Sequence, residues 1–403
     1  MSRYGRFYLA AACVVAWAVA AAAGLAQAPD REAFLERIRA SSARMESAGL
    51  AAPFTGVTTN GTIIPNLFDI RSTGVSTAPV RTAAAAFLQS LGAEQRRRAE
   101  FPVDDVEWRK WANQHSYLRQ GVSFEEMSPA QREAAFQMLG ASLSAKGLKL
   151  TRDIMHLNET LGELNGNNFV EYGEWKYWLT MMGQPSPSEP WGWQLDGHHL
   201  NVNYFVLGDQ VVMTPAFWGS EPTVATAGRY AGTAILRDEQ DRGLQMILAL
   251  APAHRSQAIL QTSKTGNNIL AQAFSDNVVV DYSGVRASAF SADQKKQLLD
   301  LIGLYVGNLR DGHARVRMSD VERHLDDTYF AWIGGTEKDS VYYYRIQSPV
   351  ILIEFDHQTP VGLRHLYPPG RPYREHIHSV VRTPNGNDYG KDLLRQHYMR
   401  HPH

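Results

Sequence analysis

The chain has 403 residues with 40 Lys and Arg against 41 Asp and Glu, a formal net charge of −1 and no long basic run, which excludes the concentrated cationic face that nucleic acid demands. Its one cysteine, Cys13, lies in the N-terminal apolar run, so the rest of the chain has no disulfide, no thiolate metal site and no cysteine nucleophile. A chain of this length can bury one large core or two ordinary ones, and its nine Trp and seventeen Tyr suit an aromatic core or a ring-lined cleft.

Arg3 and Arg6 precede an apolar stretch from Tyr8 to Leu25, followed by the small residues Ala26 and Ala28. This is the layout of a secretory signal peptide, expected over residues 1–26. Nothing after residue 30 reads as a bilayer span, so export to a bacterial periplasm or the exterior, with no membrane span left after processing, is expected. Residues 27–79 read as a helix from Arg31 to Ser47 and then a polar arm, either a hairpin or an extended strap.

Two stretches then repeat one order of elements. Residues 80–228 form a first module and 229–360 a second. Each opens on two short helices, the first pair broken at Gly92. Each continues into a helix with a capping-box signature, Ser128 with Gln131 and Ser291 with Gln294. Further helical segments follow at Leu150–Leu164 and Met318–Asp327, and then aromatic and apolar strands joined by tight turns. The expected fold is α+β: two tandem copies of a helices-then-antiparallel-hairpin module in one pseudo-symmetric unit. Residues 361–403 form a His-rich C-terminal extension packing on both modules.

Residues 191–206, WGWQLDGHHLNVNYFV, carry the strongest local signal. Asp196-Gly197 between alternating runs predicts a type I′ hairpin turn. Alternation then places His199, Asn201 and Asn203 on one face of the following strand. In the second module, PVILIEFDHQ puts Glu354 and Asp356 on one face and His357 with Phe355. Near the end, His376-Ile377-His378 sits in a β-rich stretch, where period two presents both imidazoles together, a common way for a strand to offer two metal ligands. Nine of the fourteen histidines fall at 198–199 and 357–403.

These stretches, WGWQLDGHHLNVNYF, EFDHQ and HIHSVVRTPNGNDYGKDLLRQHY, resemble domain-of-unknown-function family 3500, a family of exported proteins. The resemblance covers nearly the whole mature chain. It implies export and one family unit across both modules, and carries over no reaction and no catalytic residue.

The chain lacks G-x-S-x-G, a P-loop, H-E-x-x-H and a strand-borne G-x-G-x-x-G, so no nucleotide cofactor is expected. The leading expectation is an exported metal-dependent enzyme, hydrolytic by preference. Its divalent transition metal (Zn, Mn, Fe or Cu) would be held between the modules by His198 or His199, His357, His376 and His378. Glu354 or Asp356 would serve as general base, and Asn201, Asn203, Trp193 and Arg382 would bind a small-molecule, peptide or sugar substrate. Copper or iron would allow an oxidative reaction on the same ligands. The alternative is a non-catalytic binding protein whose aromatic cleft contains Trp191, Trp193, Tyr204 and Tyr343.

Overall fold

The computed structural model describes residues 31–401, so the expected signal peptide lies outside the described residues. Among them, no helix is long and apolar enough to cross a membrane.

Helix α1 (Arg31–Gly49) leads into an irregular strap that reaches residue 77. The first run of elements is α2 (Ala78–Ser90), α3 (Ala93–Ala99), β1 (Glu100–Phe101), β2 (Val122–Ser123), α4 (Pro129–Ser142), α5 (Ala145–Leu164), β3 (Tyr177–Met182), β4 (Trp191–Gly197), β5 (Leu200–Leu207), β6 (Gln210–Val212) and β7 (Ala216–Ser220). The second run is α6 (Arg237–Ala249), α7 (Pro252–Ala258), β8 (Ile259–Gln261), β9 (Val285–Arg286), α8 (Ala292–Val306), α9 (Asp311–Arg323), β10 (Tyr329–Gly334), β11 (Tyr342–Gln347), β12 (Leu352–His357) and β13 (Ile377–Arg382), closed by α10 (Lys391–Arg400).

Both capping boxes form as the sequence indicates. Ser128 Oγ accepts from Gln131 N and Ser291 Oγ from Gln294 N, each at 3.3 Å. The same glutamines cap a neighbouring helix: Gln131 Nε2 donates to Ser90 O of α2 and Gln294 Nε2 to Ala249 O of α6. Helices α5 and α9 begin five to seven residues before the positions expected from periodicity. Ser144 caps α5 by accepting from Gly147 N.

All the strands join one 13-stranded sheet of order β1-β3-β4-β5-β7-β13-β12-β11-β10-β8, with β2 beside β3, β6 beside β5 and β9 beside β10. The α+β class therefore holds. The two outermost pairs, β1 with β3 and β8 with β10, are parallel; the other neighbours are antiparallel. The C-terminal stretch does more than pack on both halves, because it inserts β13 at the centre of the sheet, between β7 and β12.

The two faces of the sheet differ. One carries Trp193, Leu195, Val202, Tyr204, Trp218, Ile353, Phe355 and Tyr344, and packs with α2, α4, α5, α6 and α8 into a single continuous core. The other carries buried polar side chains and lies under irregular segments, which leave backbone groups needing partners. Gln194 Nε2 donates to Trp108 O, and Asp196 accepts from Ala112 N and Arg119 Nε. Glu354 accepts from Leu270 N and Ala271 N, Asp356 accepts from Asn268 N, and Arg382 donates to Ala271 O and Gln272 O. The polar row that reads in sequence as a wet or catalytic strand face thus fastens loops 104–121 and 264–276 to the sheet.

Candidate metal centre

The β4–β5 hairpin turns two residues later than Asp196-Gly197 suggests. Gly197 pairs with Leu200, which leaves His198 and His199 as the two turn residues. His199 has φ 60°, a left-handed conformation uncommon outside glycine and asparagine. Gly197 is required there by space, since a Cβ would meet the Tyr177 ring at 2.0 Å. The Tyr177 hydroxyl donates to His198 O and holds the turn.

From this turn, His199 reaches across β7 to β13. Gly219 N donates to His199 O at 2.9 Å, and Gly219 pairs with His378. A Cβ on Gly219 would lie 2.4 Å from Ile377 O and 3.3 Å from His378 Cδ2, so glycine is what lets the two histidines face each other over the middle strand. His376, just before β13, shares a face with His378. Its Nε2 lies 3.0 Å from His378 Nε2 and 3.2 Å from His199 Nε2. The three side chains are buried and could hold a metal ion.

The contacts set the ring states. His376 Nδ1 lies 2.7 Å from Thr359 O, which can only accept, so Nδ1 carries the proton and Nε2 presents a lone pair to the cluster. Burial first, and then neighbouring imidazoles, hold His199 and His378 well below the usual histidine range; burial also lowers His376, against the pull of Glu221. Neutral imidazole is the metal-binding form. With Zn–N near 2.0–2.1 Å, two ligand nitrogens of a tetrahedral site stand about 3.3 Å apart, so the two observed separations suit a shared ion.

An outer layer surrounds the cluster. Glu221, just after β7, accepts from Gly362 N at 2.6 Å, from Val361 N and Leu363 N, and from Tyr373 Oη at 2.8 Å; its Oε2 lies 3.8 Å from His376 Nδ1. The His198 ring stacks on His199 at 3.9 Å but is not part of the trio. Its Nδ1 contacts Asn158 Oδ1 at 2.8 Å, and Asn158 Nδ2 donates to Gly173 O, which orients the amide. His198 therefore carries its proton on Nδ1. His115 stands edge-on to His198 at 5.3 Å.

Of the residues expected at the site, His199, His376 and His378 converge and His198 adjoins them. His357 does not join: it points with Phe355 to the helix-covered face, where Nε2 meets Gln240 Oε1 and Nδ1 meets the Tyr342 backbone. Asp356 lies opposite His378 in register but pairs with Lys264 Nζ at 2.6 Å, both fully buried. Glu354 is occupied by two backbone N–H groups and the Tyr343 hydroxyl. Asn201 donates to Asp196 and Asn203 to Pro215 O. Arg382 is fully buried between Asp276 and Asp388. Trp193 stacks on Tyr204 inside the core, and Trp191 and Tyr343 are buried too, so the expected aromatic cleft is packed interior. Asn158 and Thr359 were not foreseen. Asn158 was open to discovery as a polar residue in the apolar stripe of α5, between Ile154 and Leu161. Thr359 acts through its carbonyl, which leaves no trace in side-chain chemistry.

A family model described as "Protein of unknown function (DUF3500)" matches residues 73–391. The chain belongs to this family. The matched span takes in all thirteen strands and every residue of the DUF3500 histidine cluster. No similar curated protein and no similar solved structure was found.

Proposed function

We propose that this DUF3500 chain is an exported metal-dependent hydrolase whose metal is held by His199, His376 and His378. The observation that carries the reading is the convergence of three buried imidazoles, with Nε2 separations of 3.0 and 3.2 Å and the His376 proton committed to Thr359 O. An all-nitrogen set suits Zn or Cu better than Mn, which favours oxygen. Bound there, Zn would supply Lewis acidity and lower the pKa of a coordinated water. His198, with its proton held on Nδ1 toward Asn158, keeps an unprotonated Nε2 that would serve as a proton acceptor beside His199. Thr359 O orients His376, and Glu221, 3.8 Å from its Nδ1, adds negative potential.

The matching halves support the tandem-module reading. The order β1-β3-β4-β5-β7 is mirrored by β8-β10-β11-β12-β13, and the two capping boxes bridge to their neighbouring helices in the same way. In this reading the second copy has lost the ligand-bearing turn, since the β11–β12 connection, closed by Ser348 N donating to Ile351 O, has Pro349 and Val350 where the first copy has His198 and His199. Export rests on Arg3, Arg6 and the apolar run after them, and mass spectrometry of the N-terminus of secreted material tests it.

The deciding experiment is elemental analysis of protein purified without chelator or affinity tag. One equivalent of Zn or Cu, lost in the His376→Ala/His378→Ala variant, is expected. A folded parent that neither contains nor takes up Zn or Cu overturns the proposal.

A further inference from the structure

On the opposite face of the sheet lies a cavity unconnected with the histidines. It sits between the strap at 67–73 and helix α9, floored by Trp218 of β7 and Val381 of β13, with a cavity volume of about 140 Å³. Trp218 and Gly219 are consecutive on β7, so the cavity and the metal centre are on opposite sides of the same strand.

About half of the wall is apolar, with Leu67, Met213, Val306, Leu309 and Ile351 among the residues that form it. The polar groups that line it are unbalanced towards donors. Trp218 is 1% exposed, and its Nε1 has no hydrogen-bond partner. Arg317, on α9, donates from Nη2 to Val350 O and to Thr383 Oγ1 at 3.1 Å. Its Nε and Nη1 have no acceptor among the described residues, and no carboxylate forms an ion pair with it. The lining acids are at the rim: Asp320 is already paired with both Arg71 and Arg323, and Asp69 is exposed. Three guanidinium groups thus face two carboxylates around this cavity. His313 adds no charge, since burial pushes its imidazole down to about 4.

A buried donor without a partner, as at Trp218 Nε1, is costly unless a ligand supplies an acceptor, and the half-buried Arg317 offers a guanidinium fork that matches a carboxylate with two parallel hydrogen bonds. The apolar part of the wall calls for an apolar body of modest size. We propose that this cavity binds an organic carboxylate with an apolar chain, its carboxylate on Arg317 and its body against Trp218 and the wall of α9. The proposal does not depend on the metal reading.

The test is titration calorimetry of the full-length mature protein with octanoate, octanol and inorganic phosphate, with Trp fluorescence as a second readout. Octanoate should bind one to one, at least tenfold more tightly than octanol, and phosphate should not compete. Arg317→Gln should weaken octanoate about tenfold and leave octanol and metal content unchanged. Val316→Phe, which narrows the cavity from a half-buried position, should weaken both ligands. No octanoate binding, equal binding of octanoate and octanol, displacement by phosphate, or octanoate binding unaltered in Arg317→Gln each overturns the proposal. The octanoate–octanol comparison needs no variant, so it stands if either substitution fails to fold. Retained metal in an octanoate-blind parent would separate failure here from failure of the metal centre.

Discussion

The Nδ1 atom of His376 donates to Thr359 O at 2.7 Å, with the Glu221 carboxylate 3.8 Å behind it. The carbonyl fixes the tautomer and the carboxylate adds negative potential to the ligand ring. Glu221→Gln keeps the shape and removes the charge. It should weaken metal binding about tenfold without unfolding the chain, as outer-layer changes at metal sites do. Competition against a chromophoric chelator measures this, and an unchanged affinity would remove Glu221 from the centre.

Acid should destabilise the metal-free protein. The folded chain holds His198, His199, His376, His378 and His313 below the usual histidine value, mainly by burial, so in the unfolded chain they bind protons near pH 6.5 that the folded chain refuses. Their contribution is complete above about pH 6.5 and is lost as pH falls below it. Relative to the parent, His376→Ala/His378→Ala should lose less urea midpoint between pH 7.5 and 5.5, a comparison that cancels the buried carboxyls of Glu107 and Asp356, which act with the opposite sign; an unchanged pH difference would contradict it.

Glu107 has the opposite sign. Burial pushes its carboxyl up to about 8, from an ordinary value of 4.5. Its contribution is complete below pH 4.5 and is lost as pH rises towards 8. Glu107→Gln should therefore stabilise the protein at pH 8 by about 2–3 kcal/mol and do little at pH 4. Denaturant unfolding at the two pH values checks this.

The Lys264–Asp356 pair distinguishes a scaffold from a catalytic acid. Both side chains are fully buried and 2.6 Å apart. Lys264→Met alone should cost about 3–5 kcal/mol, because it strands a buried carboxylate. Lys264→Met/Asp356→Leu should recover most of that loss and keep its metal. Loss of metal from a folded double variant would return Asp356 to the site.

Gly219→Ala places a Cβ 2.4 Å from Ile377 O, between the turn that bears His199 and the strand that bears His378. A loss of about 1–3 kcal/mol is expected from the overpacking, together with reduced metal content. An alanine variant with parental stability and metal would show that the seam can widen freely.

What was legible in the sequence was what nearest neighbours decide. The capping boxes, the alternation of Glu354 with Asp356 and the shared face of His376 and His378 are local, and each formed as expected. The turn at 196–199 was misplaced because Asp-Gly is the stronger turn pair, whereas here Gly197 is taken up in packing against Tyr177 and His199 accepts the left-handed conformation. The role of the polar strand face was illegible for another reason. Alternation tells which residues share a face; what covers that face is set by segments such as 104–121 and 264–276, far away in sequence and without a periodic pattern. His357 shows the same limit: it was phased correctly with Phe355, yet sequence proximity to Asp356 placed it in a ligand set on the wrong side of the sheet.

The position of β13 has a consequence for how the chain is made. It is the last strand in sequence and a central one in the sheet, flanked by β7 and β12. Until it arrives, the two halves face each other with unpaired strand edges, a state prone to pairing with other chains. A chain ending before residue 377 would be two raw half-sheets rather than a shortened version of the same fold, and the histidine cluster comes into being only with the final zipping of the sheet.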